Sequence, residues 1–235
     1  MIIGIVGGMG SYATLDFFER YLNKFKAEKE WDRPRIIIDN RCTMPSRVRA
    51  ILYNENWDSV VDKIDNSIGN LINAGCDNII LACNTSHVFL DEVFKIHPQY
   101  EKYVLNIIKL CAHDIKSKGI TEISLIATEG TILSRIYQDT FSKEGIKVNS
   151  PSVELFERLR YFIEIVKTNN YSGNILDEFE AFILEQSKHP LVLGCTEFPV
   201  IFSKICERDS IKNLSIYDPL DSTLNYLHKK FINIE

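Results

Sequence analysis

The chain begins "MIIGIVGGMGSYATLDFFERYL" over residues 1–22. An apolar run from Ile2 to Val6 meets Gly7, Gly8 and Gly10, and apolar residues then recur at helical spacing. This reads as strand, tight turn and amphipathic helix, the opening βα unit of a parallel α/β fold. Gly8-Met9-Gly10-Ser11-Tyr12-Ala13 also satisfies the loose G-x-G-x-x-G/A pattern of dinucleotide-binding turns. Two ligands are therefore open at this point: a pyrophosphate, or another anion held at a helix start.

The alternation continues to the end of the chain. Short β-branched runs predict strands at 2–6, 35–39, 78–82, 103–107, 122–127, 146–149, 190–194 and 213–217. Helical patterns fill most intervals, the longest at 11–29, 57–74, 152–168 and 174–187. A weak repeat is visible: "GIVGGMGSYAT" from Gly4 aligns with "SLIATEGTILS" from Ser124. Each half later carries an apolar strand ending in a cysteine and a polar residue, "IILACNTSH" and "PLVLGCTEFP". The expected fold class is α/β, with two similar domains, mainly parallel sheets related by pseudo-twofold symmetry, and an active site in the interdomain cleft. Residues 1–115 plus 208–235 are expected to form the first domain and 116–207 the second, because a lone terminal strand and helix cannot make a core.

Composition narrows the class of function. Hydrophobic residues at 45% and charged residues at 25% are ordinary for a globular protein. A net charge of −5 with no basic stretch argues against nucleic acid as a main partner. No apolar run approaches the roughly 18–20 residues of a membrane span. The N-terminus also lacks the cationic region of a signal peptide. A cytoplasmic protein without membrane or nucleic-acid partners is expected.

Six cysteines, Cys42, Cys76, Cys83, Cys111, Cys195 and Cys206, are spread without a C-x-x-C pair. In a reducing compartment these are free thiols. Cys83 and His87 have i,i+4 spacing, but no comparable pair completes four metal ligands. No metal site is expected. Cys83 and Cys195 stand apart because their contexts match. Each sits at a predicted strand end, where parallel sheets bind ligands. Asn84, Thr85 and Ser86 follow one, Thr196 and Glu197 the other, and such residues start helices, whose positive end lowers a thiol pKa. Two thiols facing one cleft suit racemisation at a carbon acid, with a thiolate removing the α-proton and a thiol on the other face returning one.

These motifs resemble the aspartate/glutamate racemase family. "LACNTSH" (81–87) and "LGCTEFP" (193–199) are similar to its two catalytic signatures, "GIVGGMGSYAT" to the start of its aspartate racemase branch, and "TMPSRVRAIL" (43–52) to that branch's P-D-R-T segment. The resemblance implies a cofactor-independent enzyme of two pseudo-symmetric α/β domains, commonly a homodimer, acting on a small amino acid. It implies that Cys83 and Cys195 are the acid/base pair and that Asn84, Thr85 and Thr196 bind the substrate's α-carboxylate or amino group. By the same resemblance Gly8, Met9 and Gly10 line the site, Thr131 binds substrate and Arg47 grips a side-chain carboxylate. His87 and Glu197 would support neighbours or tune a thiol.

The chain departs from the pattern at Ser11, which replaces a proline and should loosen the turn, and at Ser46 and Val48, which replace an acidic residue and a threonine beside Arg47. Arg158, Arg160 and Lys167 are candidates for a second cationic substrate contact. The expected function is interconversion of L- and D-aspartate, with glutamate second, independently of pyridoxal phosphate. Rival readings are another reaction of the superfamily (a different amino acid, decarboxylation or cis–trans isomerisation), an NAD-dependent oxidoreductase using Asp39 as ribose contact, and a non-catalytic amino-acid-binding protein.

Overall fold

The structure, a computed structural model, describes residues 1–232. Two four-stranded sheets are present. The first contains β1 (Ile2–Gly7), β2 (Arg35–Asn40), β3 (Asn78–Leu81) and β4 (Val104–Leu105) in the order β2-β1-β3-β4. The second contains β5 (Glu122–Ile126), β6 (Lys147–Asn149), β7 (Leu191–Leu193) and β8 (Ile216–Tyr217) in the order β6-β5-β7-β8. Every pairing is parallel, and the two halves use the same order in the same chain direction. Ile3, Ile5 and Val6 of β1 and Leu191 and Val192 of β7 are fully buried, as in sheets covered on both faces.

Helices fill the crossovers. In the first half they are α1 (Ser11–Lys24), α2 (Arg47–Tyr53), α3 (Trp57–Asn73), α4 (Leu90–Ile96) and α5 (Ile107–Ser117). In the second they are α6 (Glu129–Leu133), α7 (Ile136–Ser142), α8 (Phe156–Thr168), α9 (Ile175–Gln186), α10 (Glu197–Phe202) and α11 (Pro219–Ile232). In α3, Val60, Val61, Ile64, Ile68 and Leu71 form one buried stripe at helical spacing. Among the described residues four helix starts are capped by side chains: Ser46 accepts from the Arg49 N–H, Asn106 from those of Ile108 and Lys109, Thr128 from that of Thr131, and Asp218 from that of Leu220.

All eight expected strands are present, within a residue or two for most. The first helix ends at Lys24, short of the expected 29. Phe25 leaves the helix with ψ 60° and buries its ring against His228 and Phe231 of α11. The segment from 208 is divided, which corrects its placement wholly in the first domain. Ile216 and Tyr217 pair with Leu191 and Val192 in the second sheet. Helix α11 returns to the first half, where Arg20 of α1 pairs with Asp218 and, at 2.7 Å, with Asp221. Residues 233–235 of that expected domain lie outside the described residues. One hydrophobic core runs from Ile3 and Phe17 through Ile107 and Leu224 to Ile126 and Leu193, so α5 and α11 weld the halves together.

Among the described residues no helix is long and apolar enough to cross a membrane.

Candidate active site

In each sheet the two central strands end at one cavity of about 300 Å3. The β1 turn contributes Gly8, Met9 and Gly10, the end of β3 contributes Cys83 and Thr85, the end of β5 contributes Thr128, and the end of β7 contributes Cys195 and Glu197. Strand ends carry the site because the backbone there leaves the sheet and its groups are free to meet a ligand. Arg47 at the start of α2 and Lys167 near the end of α8 complete it from either half.

The glycines of the opening turn are required by close contacts within the chain. Gly8 has φ +77°, and a Cβ there would lie 2.5 Å from the Arg41 backbone, so only glycine fits. Its N–H is used internally, donating to Thr14 Oγ1 at 3.0 Å. Gly10 has ordinary extended dihedrals and is required for space: a Cβ would lie 2.6 Å from Glu197 Oε1. The start of α1 thus faces a carboxylate of the chain itself. Ser11 does not loosen this turn. Its hydroxyl accepts from Asn40 Nδ2 at 3.2 Å and lies 3.3 Å from Cys42 Sγ, tying the turn to the loop after β2. Asp39, the ribose contact of the oxidoreductase reading, instead pairs with Arg41 at 3.4 Å.

The two thiols have unlike surroundings. Both are buried and line the same cavity. The Cys195 thiol donates to Glu197 Oε2 at 2.9 Å. Burial, and then the adjacent Glu197 carboxylate, hold this thiol well above the ordinary cysteine range. The expectation that a helix start lowers its pKa is therefore overturned for Cys195, because desolvation and a neighbouring negative charge outweigh the helix end. No carboxylate follows Cys83: Thr85 stands at the place that Glu197 takes after Cys195.

Several expected contact residues stand behind the cavity wall. Thr131 is fully buried, and its hydroxyl lies 2.8 Å from that of Thr85 and 2.9 Å from that of Thr128, so it positions the two threonines that do line the cavity. Thr196 donates to Ala82 O at 3.4 Å, linking the ends of β3 and β7. Asn84 Oδ1 accepts from Tyr137 OH at 2.7 Å, leaving Asn84 Nδ2 buried with no protein partner. His87 is buried, and burial pushes its pKa down to about 4. Its neutral ring accepts the Ile107 N–H at Nε2 (3.4 Å) and so donates from Nδ1 to the Cys83 carbonyl (3.0 Å). It fixes the backbone of the cysteine against the start of α5.

The cationic groups are now distinguished. Arg47 makes no ion pair among the described residues; it donates to Met9 O and Pro45 O, both at 2.9 Å, and its Nε is buried without a partner. Arg158 and Arg160 pair with Glu185 and Glu129, whereas Lys167 reaches the cavity while holding Glu164 at 2.8 Å. Burial pulls the Lys167 ammonium down, but Glu164 and the more distant Glu197 outweigh it and raise its pKa. The sequence did not single out Thr128, Met44, Ile163 or Cys42, which also line the site. The Thr128 match to the first-half turn was the one available signal.

Around this cavity the match to known proteins is specific. The family model described as Asp/Glu/Hydantoin racemase matches residues 6–227. The chain belongs to that family. Family members and relatives make it an enzyme of the racemase type. It is 30% identical to the aspartate racemase of Picrophilus torridus, over 98% of this chain and 94% of that one, with a TM-score of 0.82. The broad specificity amino-acid racemase RacX of Bacillus subtilis is 25% identical over 210 residues, 87% of this chain and 88% of RacX. Against the glutamate racemase of Lactobacillus acidophilus the match is 25% over 177 residues, 72% of this chain but only 62% of that enzyme.

Proposed function

We propose that this racemase interconverts the enantiomers of an acidic amino acid, aspartate first and glutamate second, with Cys83 and Cys195 as the two acid/base groups and no pyridoxal phosphate. The single observation that carries the reading is that two thiols, from equivalent strand ends in the two halves, line one cavity that also holds Arg47.

Charge on the cavity wall supports an amino dicarboxylate. Arg47 Nε is a donor without a protein partner, suited to a carboxylate oxygen. Glu197 Oε1 is a buried acceptor without a partner, suited to an ammonium group. Lys167 also lines the cavity, with its charge already paired with Glu164. In one direction the Cys83 thiolate takes the α-proton and Cys195 delivers its own to the opposite face, leaving Cys83 as thiol and Cys195 as thiolate. The other direction is the reverse of this one: the Cys195 thiolate takes the α-proton and Cys83 delivers its own, and Glu197 Oε2 accepts the hydrogen bond of the Cys195 thiol whenever that thiol carries its proton. Each proton is accounted for by groups of the chain itself.

The test is incubation in D2O with each enantiomer of aspartate and glutamate, following α-hydrogen exchange and optical rotation. Exchange at the α-carbon with loss of optical activity is expected, and Cys83→Ser and Cys195→Ser should each abolish the racemisation. Full activity in both serine variants would overturn the thiol mechanism, and an unexchanged α-hydrogen in every substrate would overturn the substrate assignment.

A further inference from the structure

The catalytic cavity does not end at Arg47. Ser46, Val48, Thr128, Ile163 and Lys167 line it and also line a second chamber of about 300 Å3 between α2 and α8. Phe156 and Leu159 give this chamber an apolar wall. Its charged rim is self-neutralised: Arg49 holds Glu55 at 2.6 Å, Arg160 holds Glu129 at 2.8 Å and Lys167 holds Glu164 at 2.8 Å. A free carboxylate entering the chamber meets no unpaired cation and loses hydration, whereas an uncharged apolar group gains burial.

The position of the opening matters. Val48 follows Arg47 directly on α2 and lines both spaces, while Arg47 lines the first alone. Ser46 and Val48 stand where the resembling segment has an acidic residue and a threonine, so the α2 side of the neck carries no charge, and on the α8 side Lys167 is paired with Glu164. Arg47 therefore stands beside the neck, with Val48 next to it and Phe156 in the chamber beyond.

We infer that the second chamber is a subsite for an uncharged substituent on the substrate's side-chain carboxyl group, so that the enzyme also racemises amides or esters formed at that carboxyl. The inference rests on the amino-acid racemase reading above. Arg47 donates to the amide or ester carbonyl, the substituent lies against Phe156 and Leu159, and the α-carbon keeps its place between the thiols.

The experiment compares L-aspartate, L-asparagine and the β-benzylamide of L-aspartate by α-hydrogen exchange in D2O, with the wild-type protein and Phe156→Ala. The benzylamide should exchange with kcat/KM within about tenfold of aspartate and at least about tenfold above asparagine. Phe156→Ala should raise KM for the benzylamide by about threefold to tenfold and leave aspartate unchanged, which also shows that the variant is folded. Exchange of aspartate with none of the benzylamide would overturn the subsite and leave the racemase reading intact. Equal effects of Phe156→Ala on both substrates would overturn it too. If nothing exchanges, the racemase reading itself falls. Exchange of the benzylamide without aspartate would uphold the chamber and remove the free acid as substrate.

Discussion

The Cys195 thiol is hydrogen-bonded to Glu197 Oε2 at 2.9 Å, and no matching carboxylate follows Cys83. Two halves with the same strand order thus place two thiols in unlike surroundings. The Glu197 charge opposes ionisation of Cys195, whose thiol is already held well above the ordinary range by burial.

Replacing that charge tests the asymmetry. Glu197→Gln keeps the shape and removes the negative charge, so Cys195 should be alkylated by iodoacetamide at lower pH than in the wild type, as read by peptide mass spectrometry. Racemase activity should fall by about a hundredfold or more, because the carboxylate that aims the Cys195 thiol and keeps it protonated for delivery is lost. Since the equilibrium of a racemisation favours neither enantiomer, kcat/KM must fall equally in both directions, and the asymmetry will appear in kcat and KM separately. An unaltered alkylation profile would show that Glu197 does not govern the thiol.

Gly10 sets the place of the same carboxylate. A methyl group there would approach Glu197 Oε1 to 2.6 Å, and the backbone dihedrals at this position suit alanine. Gly10→Ala should therefore leave thermal stability within about 1 kcal/mol while reducing activity at least about tenfold, through displacement of Glu197 from Cys195. Wild-type activity in this variant would mean that the carboxylate can move without consequence.

His87 predicts an acid limb of stability. Its folded pKa of about 4 lies below the ordinary 6.5. Between these values the unfolded chain binds a proton that the folded chain does not, so stability is fully present above pH 6.5 and declines as pH falls toward 4. The whole window is worth about 3 kcal/mol. Denaturant titrations across it should show this decline, and His87→Gln, less stable at neutral pH, should show a shallower one. Equal slopes in the two proteins would place the acid sensitivity elsewhere.

Arg47 should not be replaceable by lysine. A lysine ammonium can keep the charge but not donate to Met9 O and Pro45 O while offering the free Nε. Arg47→Lys is expected to lower kcat/KM for aspartate by about a hundredfold, with most of the loss in KM, in initial-rate assays. A loss confined to kcat would move Arg47 from the substrate side chain to the chemical step.

Much of this was readable along the chain because its signals are local. Apolar runs of four to six residues marked strands such as β3 and β7, and the small or polar residues after them marked the strand ends where Cys83 and Cys195 sit. The choice of Lys167 over Arg158 and Arg160 was not local. It depends on which face of α8 turns toward α2, and three cations within ten residues on one helix cannot be separated without that rotation. Thr131, Thr196 and Asn84 were legible as polar residues near the site. That they stand behind its wall, bonded to Thr85, Ala82 and Tyr137, needed the contact between halves.

The opening stretch shows the same division. From "GIVGGMGSYAT" the sequence determined strand, turn and helix, because backbone geometry and hydrophobic period act between neighbours. Tertiary structure alone decided what the turn serves. Gly8 accommodates the loop at Arg41, and Gly10 leaves room for Glu197, residues far along the chain whose approach no local pattern encodes. The sheet joined by β8 was decided in the same way, since a two-residue strand pairs where the common core of α5 and α11 places it.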